Sequence, residues 1–302
     1  MPVPTPLQRA PDSLSSGRNV FLKREDEHEL GAFKWRGALP ALEKYRLSGA
    51  TGVVTASTGN HGAATAWAAR RVGLAAAVFA PENASGAKLE LIGKHGAELH
   101  RSGRDLDEAK LEAAALAARR GLPFFEDGAE PAQYAGYGEI AAEVLEQAGG
   151  KPAAILVPVG NGALIGGIGE VIRRRSPGTR VLGVAATEAP VMALSFEAGR
   201  PVACGRMATF ADGLAVRIAI PYAVDVMRRV VDGMLLVSER EIAEAIAACA
   251  SAGLRVEGAA AAAIAAIPRA PDDGPVVAIV TGRNIDEEIY RRALSSPETF
   301  GP

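Results

Sequence analysis

The feature that most constrains the fold is a regular alternation of short apolar runs with longer alanine-rich segments. Residues 52–55, 75–80 and 153–158 are almost wholly apolar, and each run is followed by a segment with helical spacing. Continuous apolar strands are typical of parallel sheets covered on both faces. Strand–helix alternation indicates an α/β protein. The sequence therefore predicts parallel sheets in three-layer (αβα) domains.

The same patterning predicts the other elements. Further strands are predicted over residues 97–100, 180–185 and 275–280, and helices over residues 62–72, 88–94, 106–120, 162–175, 239–251 and 257–267. The helix over 106–120 has the clearest ends, because Asp105 is a good N-cap and Gly121 a good C-cap. Residues 199–217 mix Gly, Pro, Cys and Asp, and we predict little regular structure there.

Length and the order of elements predict two domains. A chain of 302 residues fits about two units of roughly 150 residues. No linker divides the chain, so we expect an interleaved arrangement. The large domain would contain residues 1–49 and 136–302, and the small domain residues 50–135.

Composition excludes several classes of protein. Lys and Arg total 33 against 35 for Asp and Glu, giving a net charge of −2, so no nucleic-acid partner is expected. Cys204 and Cys249 are too few for a disulfide framework or a zinc site. No secretory signal and no apolar span of about 18 residues is visible, so we expect a cytoplasmic protein without a membrane partner. We also expect no C-terminal regulatory domain, because the chain ends soon after Asp286.

Three loops at predicted strand ends carry small polar residues and glycine, and α/β proteins bind ligands at this edge of a sheet. The first, residues 55–62, reads TASTGNHG and opens a helix. The N–H groups and dipole of a helix start attract a carboxylate or phosphate, and Ser57, Thr58 and Asn60 add hydrogen-bonding side chains. The alternative is a plain N-capping turn.

The other two loops are weaker signals. Residues 157–167 read VPVGNGALIGG, in which consecutive N–H groups could surround a phosphate, but the pattern is neither GxGxxG nor a Walker motif. The absence of GxGxxG argues against a dinucleotide-binding oxidoreductase. Residues 278–286 read AIVTGRNID and place Thr281 at the mouth of the sheet. Residues 157–167 alone are equally typical of an ordinary βα turn, and for residues 278–286 alone the ordinary turn is the favoured interpretation.

Lys34 differs in kind from these loops. It lies between Phe33 and Trp35, and aromatic neighbours can desolvate an ammonium and make it a nucleophile for Schiff-base chemistry. The alternative is the usual one for lysine, a solvated surface side chain.

The order of the motifs is more informative than any one of them. FLKRED, GAFKWRGA, ASTGNHG, VPVGNGALIGG, FADGLAV, EGAAAAAIAA and VTGRNID follow one another from Thr5 to about Tyr290. Together they resemble the threonine/serine dehydratase and serine racemase group of fold-type II pyridoxal-phosphate enzymes. The resemblance implies a tryptophan synthase β-like fold, with pyridoxal 5′-phosphate (PLP) in a cleft between two αβα domains, and a homodimer.

The resemblance also implies residue roles. Lys34 matches the Schiff-base lysine, and Phe33 the aromatic residue beside the cofactor ring. Asn60 matches the asparagine that bonds the cofactor's 3′-oxygen, and Thr281 the hydroxyl that bonds the pyridine nitrogen without protonating it. The other matches form a phosphate loop and a substrate-carboxylate loop: Gly160, Asn161, Gly162, Ala163 and Leu164 for the first, and Ser57, Thr58, Gly59, Asn60 and His61 for the second.

Three departures from the family pattern qualify these expectations. Asn161 and Ala163 stand where the phosphate loop usually has glycine. The metal-binding branch has acidic residues where this chain has Ala185 and Val191, so we predict no metal site. Thr58 takes the catalytic position where racemases place a serine, on the cofactor face opposite the lysine.

The predicted function is a PLP-dependent dehydratase (ammonia-lyase) for a small amino acid. Its substrate would be L-threonine, L-serine or a relative such as 3-hydroxyaspartate, and its products a 2-oxo acid and ammonia. An amino-acid racemase and a non-catalytic fold-type II binding protein are the alternatives. The joint presence of Lys34, Asn60 and Thr281 argues against the non-catalytic one.

Overall fold

The computed structural model describes residues 3–84, 86–205 and 207–301, and the chain divides into two compact units. The first unit contains Met1–Ala32 and Tyr137–Pro302, and the second contains Phe33–Gly136. The first unit is thus built from two separate stretches of the chain, and the second from the stretch between them. Residues 33–49, which the predicted boundaries placed with the large domain, group with the second unit because their helix packs on the helix that follows the first strand of that unit.

Nine strands and twelve α-helices are found in the described residues. The strands are β1 (Leu7–Arg9), β2 (Val20–Arg24), β3 (Gly52–Ala56), β4 (Ala75–Ala80), β5 (Glu98–Arg101), β6 (Ala154–Pro158), β7 (Arg180–Ala186), β8 (Gly233–Val237) and β9 (Val276–Val280). The helices are α1 (Asp12–Ser15), α2 (Trp35–Leu47), α3 (Asn60–Val72), α4 (Gly86–Gly93), α5 (Leu106–Arg120), α6 (Pro131–Gln147), α7 (Ala163–Arg175), α8 (Val191–Ala198), α9 (Pro221–Val230), α10 (Glu239–Ser251), α11 (Gly258–Ala265) and α12 (Glu287–Ser295).

The first unit is built on a six-stranded sheet in the order β1-β2-β9-β6-β7-β8. All neighbouring strands run parallel except β1, which pairs antiparallel with β2. Every residue of β6 and β9 is buried, as expected for strands covered on both faces. The predicted parallel α/β architecture is confirmed for this unit.

The second unit is built on a three-stranded parallel sheet in the order β3-β4-β5. Helix α3 packs on α2, α4 and β4, while α5 packs against β3 and β4. The predicted caps of α5 are confirmed. The carboxylate of Asp105 accepts a 3.0 Å hydrogen bond from the N–H of Glu108, and Gly121 has a φ of 64°.

Residues 199–217 contain no helix or strand among their described members beyond a 3-10 turn at Asp212–Leu214, in agreement with the sequence pattern. None of the described helices combines the length and the apolar character needed to cross a membrane.

A buried polar cluster ties the N-terminal segment to α6. The Lys23 side chain is fully buried, and its amine donates to the carboxylate of Glu143 at 2.5 Å, to Thr5 O at 2.7 Å and to the Gln147 side chain at 3.0 Å. A buried ammonium is tolerated only when it is paired and hydrogen-bonded in this way. The cluster therefore fixes β2 against α6.

We predict that Glu143→Ala lowers the free energy of unfolding by about 3 kcal/mol, because it removes the charge that compensates a buried lysine. Glu146→Ala is the matched control on the same helix. Glu146 is 67% exposed and pairs with Arg175 at 3.4 Å, so its loss should cost less than about 1 kcal/mol. Urea unfolding of both variants measures the difference, and equal costs would mean that the Lys23 cluster does not stabilise the fold.

Candidate active site

In the second unit, the loop after β3 and the loop after Phe125 begin at the same end of the sheet. Residues 123–125 run alongside β3, with Val54 N donating to Pro123 O at 3.0 Å and Phe125 N donating to Val54 O at 2.8 Å. Since this pairing is parallel, the residues that follow β3 and those that follow Phe125 emerge at the same end.

The loop after β3 begins buried and becomes accessible. Ser57 N donates to Phe79 O at 2.8 Å, and the Ser57 hydroxyl accepts from Gly59 N at 3.1 Å. Thr58, Gly59 and Asn60 are partly exposed, and α3 starts at Asn60 with no side chain capping its first turn. The first N–H groups of α3 therefore face a short polar loop, which suits an anion.

The amine of Lys34 is sheltered and paired. Its Nζ lies 2.5 Å from Asp127 Oδ2, and only 16% of the side chain is exposed. The same amine lies 5.1 Å from the centroid of the Phe33 ring. The structure therefore supports a partly desolvated lysine rather than a surface one.

Asp127 is held in place by a buried amide. Gln133 is completely buried; its Nε2 donates to Asp127 Oδ1 at 3.2 Å, and its Oε1 accepts from Gly128 N at 2.9 Å. Asp127 and Gln133 are site residues that the sequence did not indicate. The only available signal was a carboxylate two residues after an apolar pair, Phe124 and Phe125.

His61 is buried beneath the loop rather than presented by it. The Thr55 hydroxyl donates to Phe125 O at 2.6 Å, so His61 Nε2, 3.1 Å from that hydroxyl, is the donor between them. His61 Nδ1 lies 3.6 Å from Asp127 Oδ1. Burial outweighs this carboxylate and lowers the pKa of His61, so the ring is neutral at pH 7. A contact of His61 with a substrate carboxylate would come from its backbone N–H.

In the first unit, the other predicted site residues also share one sheet edge. Strands β6 and β9 are neighbours, with Leu156 opposite Ala278. Because they are parallel, the segment starting at Val159 and the segment starting at Thr281 emerge side by side. The predicted phosphate loop and Thr281 are thus brought to the same edge.

Tight packing explains the glycines at 160 and 162. A Cβ on Gly160 would lie 2.3 Å from the carbonyl oxygen of Gly213, and Gly162 has a φ of 89° with the Met227 sulfur 2.8 Å from its Cβ position. Asn161 uses its side chain to cap the helix, since its Oδ1 accepts from Ala163 N at 3.1 Å. The following N–H groups, from Leu164 onward in the first turn of α7, remain available to an anion by the geometry of a helix start.

Thr281 has a buried partner that the sequence did not reveal. Its hydroxyl donates to Glu257 Oε1 at 3.1 Å, and both side chains are almost completely buried. Glu257 precedes α11 but makes no side-chain cap to that helix. In the sequence it reads as the first residue of an alanine-rich helix, so no local pattern links it to Thr281.

Within the first unit, residues 30–32 are anchored beside Thr281. Ala32 forms a bridge with Gly282, Arg283 N donates to Gly31 O at 2.9 Å, and the Asn284 amide donates to Leu30 O at 2.8 Å. Lys34 follows Ala32 by two positions along the chain. Among the described residues, no three acidic, histidine or cysteine side chains converge as a metal site would require.

Comparison with known proteins agrees with this architecture. Residues 2–282 match the family model described as pyridoxal-phosphate dependent enzyme. The L-threonine ammonia-lyase of Geobacter sulfurreducens is 38% identical over 275 residues, which is 89% of this chain and 68% of that protein. The biosynthetic L-threonine dehydratase of Pasteurella multocida is 35% identical over 80% of this chain but only 47% of its own length. The chain thus spans about half of that relative.

Solved structures give the same picture. The processed form of threonine deaminase isoform 2 from Solanum lycopersicum has a TM-score of 0.91, with 30% identity over 97% of this chain and 88% of that one. Maize serine racemase has a TM-score of 0.89, with 27% identity over 97% of this chain and 92% of that one. The chain belongs to the pyridoxal-phosphate dependent enzyme family, and the predicted fold-type II architecture and its cofactor, pyridoxal 5′-phosphate, are confirmed.

We predict that the stability of the protein falls as the pH drops below about 6.5, the ordinary pKa of histidine. The unfolded chain takes up a proton on His61 there while the folded protein does not, so stability present above this pH is lost towards the lowered pKa. Melting temperatures of His61→Gln between pH 7.5 and 5 should show a smaller slope than the wild type. An equal slope in His61→Gln and in the wild type would contradict this assignment.

We predict that Thr281→Val lowers the free energy of unfolding by about 1.5–3 kcal/mol, because it removes a hydrogen bond to a buried carboxylate. Thr281→Ser keeps the hydroxyl and should cost clearly less. Urea unfolding of the two variants without cofactor measures this, and an equal loss in both would show that the bond to Glu257 contributes nothing.

Proposed function

We propose that this protein is a PLP-dependent ammonia-lyase that removes the β-hydroxyl of L-threonine, L-serine or a related amino acid, giving a 2-oxo acid and ammonia. The observation that carries the proposal is the Lys34 amine, sheltered between Phe33 and Asp127, in a chain 38% identical to an L-threonine ammonia-lyase.

The residues present fit the cofactor. Lys34 offers a partly buried amine for a carbonyl, the start of α7 offers N–H groups for a phosphate, and the Thr281 hydroxyl lies at the same sheet edge as that phosphate loop. When bound, PLP would supply the electron sink that stabilises negative charge at the substrate's Cα. We propose that Lys34 binds its carbonyl, that Phe33 and Asn60 contact its ring and 3′-oxygen, and that Gly160, Asn161, Gly162, Ala163 and Leu164 surround its phosphate.

The loop at residues 57–61 would orient the substrate. The N–H groups at the start of α3, with the hydroxyls of Ser57 and Thr58, form a neutral site that matches a carboxylate. His61 adds no positive charge because burial lowers its pKa. Binding of the carboxylate would rest on hydrogen bonds and the helix dipole, which place Cα for proton transfer to the Lys34 amine.

Glu257 would govern what Thr281 offers to a ring nitrogen. A hydroxyl has one proton to donate, and Thr281 donates it to Glu257. Towards a second neighbour it then presents a lone pair. It could donate in that direction only if the Glu257 carboxyl were protonated and became the donor itself. A proton on Glu257 would therefore set the direction of the hydrogen bond at Thr281. The family resemblance had implied only a bond from the Thr281 hydroxyl to the ring nitrogen.

We also propose a role for each unit, an oligomeric state and a cellular compartment. The two units would act as the PLP-binding and small domains, the chain would form a homodimer, and it would reside in the cytoplasm. Unpaired cysteines support a reducing compartment: both Cys204 and Cys249 are free thiols, and Cys249 is buried, with its pKa raised to about 12 by that burial.

We predict that Lys34→Ala abolishes both ammonia release and the absorbance of the bound cofactor while leaving the fold intact. Alanine has no amine, and the neighbouring Arg36 guanidinium stays protonated and cannot replace it. Lys44→Ala is the control: Lys44 is 58% exposed and pairs with Glu130, so its loss should leave activity unchanged.

A panel of β-hydroxy amino acids tests the reaction itself. Release of ammonia and 2-oxo acid in equal amounts from L-threonine or L-serine supports the proposal. Inversion of Cα without ammonia release would assign a racemase instead, and full activity of Lys34→Ala without added amine would exclude the Schiff-base role.

A further inference from the structure

We propose that Asp127 is a specificity-determining residue, which admits amino acids with a hydroxyl or ammonium on Cβ and excludes those with a carboxylate there. The inference rests on the proposed function and narrows its substrate class. The Asp127 carboxylate lies beside the Lys34 amine, and the sequence did not indicate this contact.

The Asp127 carboxylate is fixed at this point independently of Lys34. Its Oδ1 accepts a hydrogen bond from the completely buried Gln133. The backbone two residues earlier is paired with β3 through Phe125 N and Val54 O. The carboxylate therefore stays within hydrogen-bond distance of the position of Lys34 Nζ whatever that nitrogen is bonded to.

The substrate must come to the same position. With PLP bound, the substrate's amine would replace the Lys34 amine at the cofactor's carbonyl carbon, and the Lys34 amine would be released. The β-substituent lies three bonds from that nitrogen, so it approaches Asp127 to within a few ångströms. A hydroxyl or ammonium can donate to a carboxylate there, whereas a second carboxylate is repelled.

The His61 ring beside Asp127 does not compensate the charge of that carboxylate. The His61 ring, 3.6 Å away, is neutral because burial lowers its pKa. The Lys110 amine pairs with the adjacent carboxylate, Glu126, at 3.5 Å. Asp127 itself is only 27% exposed, so water screens its field less than it would on the open surface.

The test compares Asp127→Asn with Glu126→Gln in the PLP-loaded enzyme. Glu126 is the matched control, since it is the neighbouring carboxylate, 41% exposed and outside the site. L-serine, 2,3-diaminopropionate and 3-hydroxyaspartate are titrated against the cofactor absorbance to give dissociation constants, and kcat/KM is measured from ammonia release. The binding measurement requires no turnover.

We expect the wild type and Glu126→Gln to bind 3-hydroxyaspartate at least about tenfold more weakly than L-serine, which corresponds to about 1.4 kcal/mol. Asp127→Asn should reduce that ratio to within about threefold and should weaken 2,3-diaminopropionate relative to serine. If Asp127→Asn does not hold the cofactor, Asp127→Ser is measured in its place.

Unchanged binding ratios in the Asp127 variant, or an equal change in Glu126→Gln, would overturn the specificity role. The proposed function fails separately: it fails if none of the amino acids yields ammonia, whatever their order of binding. Ammonia release with no discrimination between hydroxyl and carboxylate substrates would leave the ammonia-lyase standing and remove the role of Asp127.

Discussion

Parallel pairing of β6 with β9 is the constraint on which the first unit depends. The hydrogen bonds between these fully buried strands set Leu156 opposite Ala278, and the register decides which residues leave the sheet together. A slip by one residue would turn the apolar side chains of the strand to the other face. It would also displace Thr281 relative to Gly160. Strand register therefore decides which positions become neighbours at this edge, and the loop sequences decide which side chains occupy those positions.

In the second unit, charged side chains are partly buried. Hydrogen bonds and an ion pair offset the cost of removing them from water. Lys34 is paired with Asp127, Asp127 with Gln133, and Gln133 with a backbone N–H. Each polar atom in this series meets a partner, as buried polar atoms must. His61, in contrast, is kept neutral by its burial. A pair of opposite charges and an uncharged ring thus lie side by side, with 3.6 Å between His61 Nδ1 and Asp127 Oδ1.

Local pattern was enough for those elements whose signals lie within the element itself. The predicted ranges 75–80, 106–120 and 239–251 coincide with β4, α5 and α10, because apolar runs, caps and helical spacing are all local. β2 was not predicted as a strand, since its buried Lys23 reads as a surface residue until Glu143 is brought to it from 120 positions away. Asp127 reaches Lys34 across 93 positions and Glu257 reaches Thr281 across 24. Such contacts are set by topology, and no local spacing indicates them.

Gly282, the residue after Thr281, packs directly against the Glu257 carboxylate. A Cβ at position 282 would lie 2.7 Å from the carboxyl carbon of Glu257 and 2.8 Å or less from both its oxygens. A side chain at 282 would therefore require the Glu257 carboxylate to move from its present position. Positions 257, 281 and 282 therefore behave as one steric unit: a side chain at 282 would displace the Glu257 carboxylate and take the proton acceptor away from the Thr281 hydroxyl.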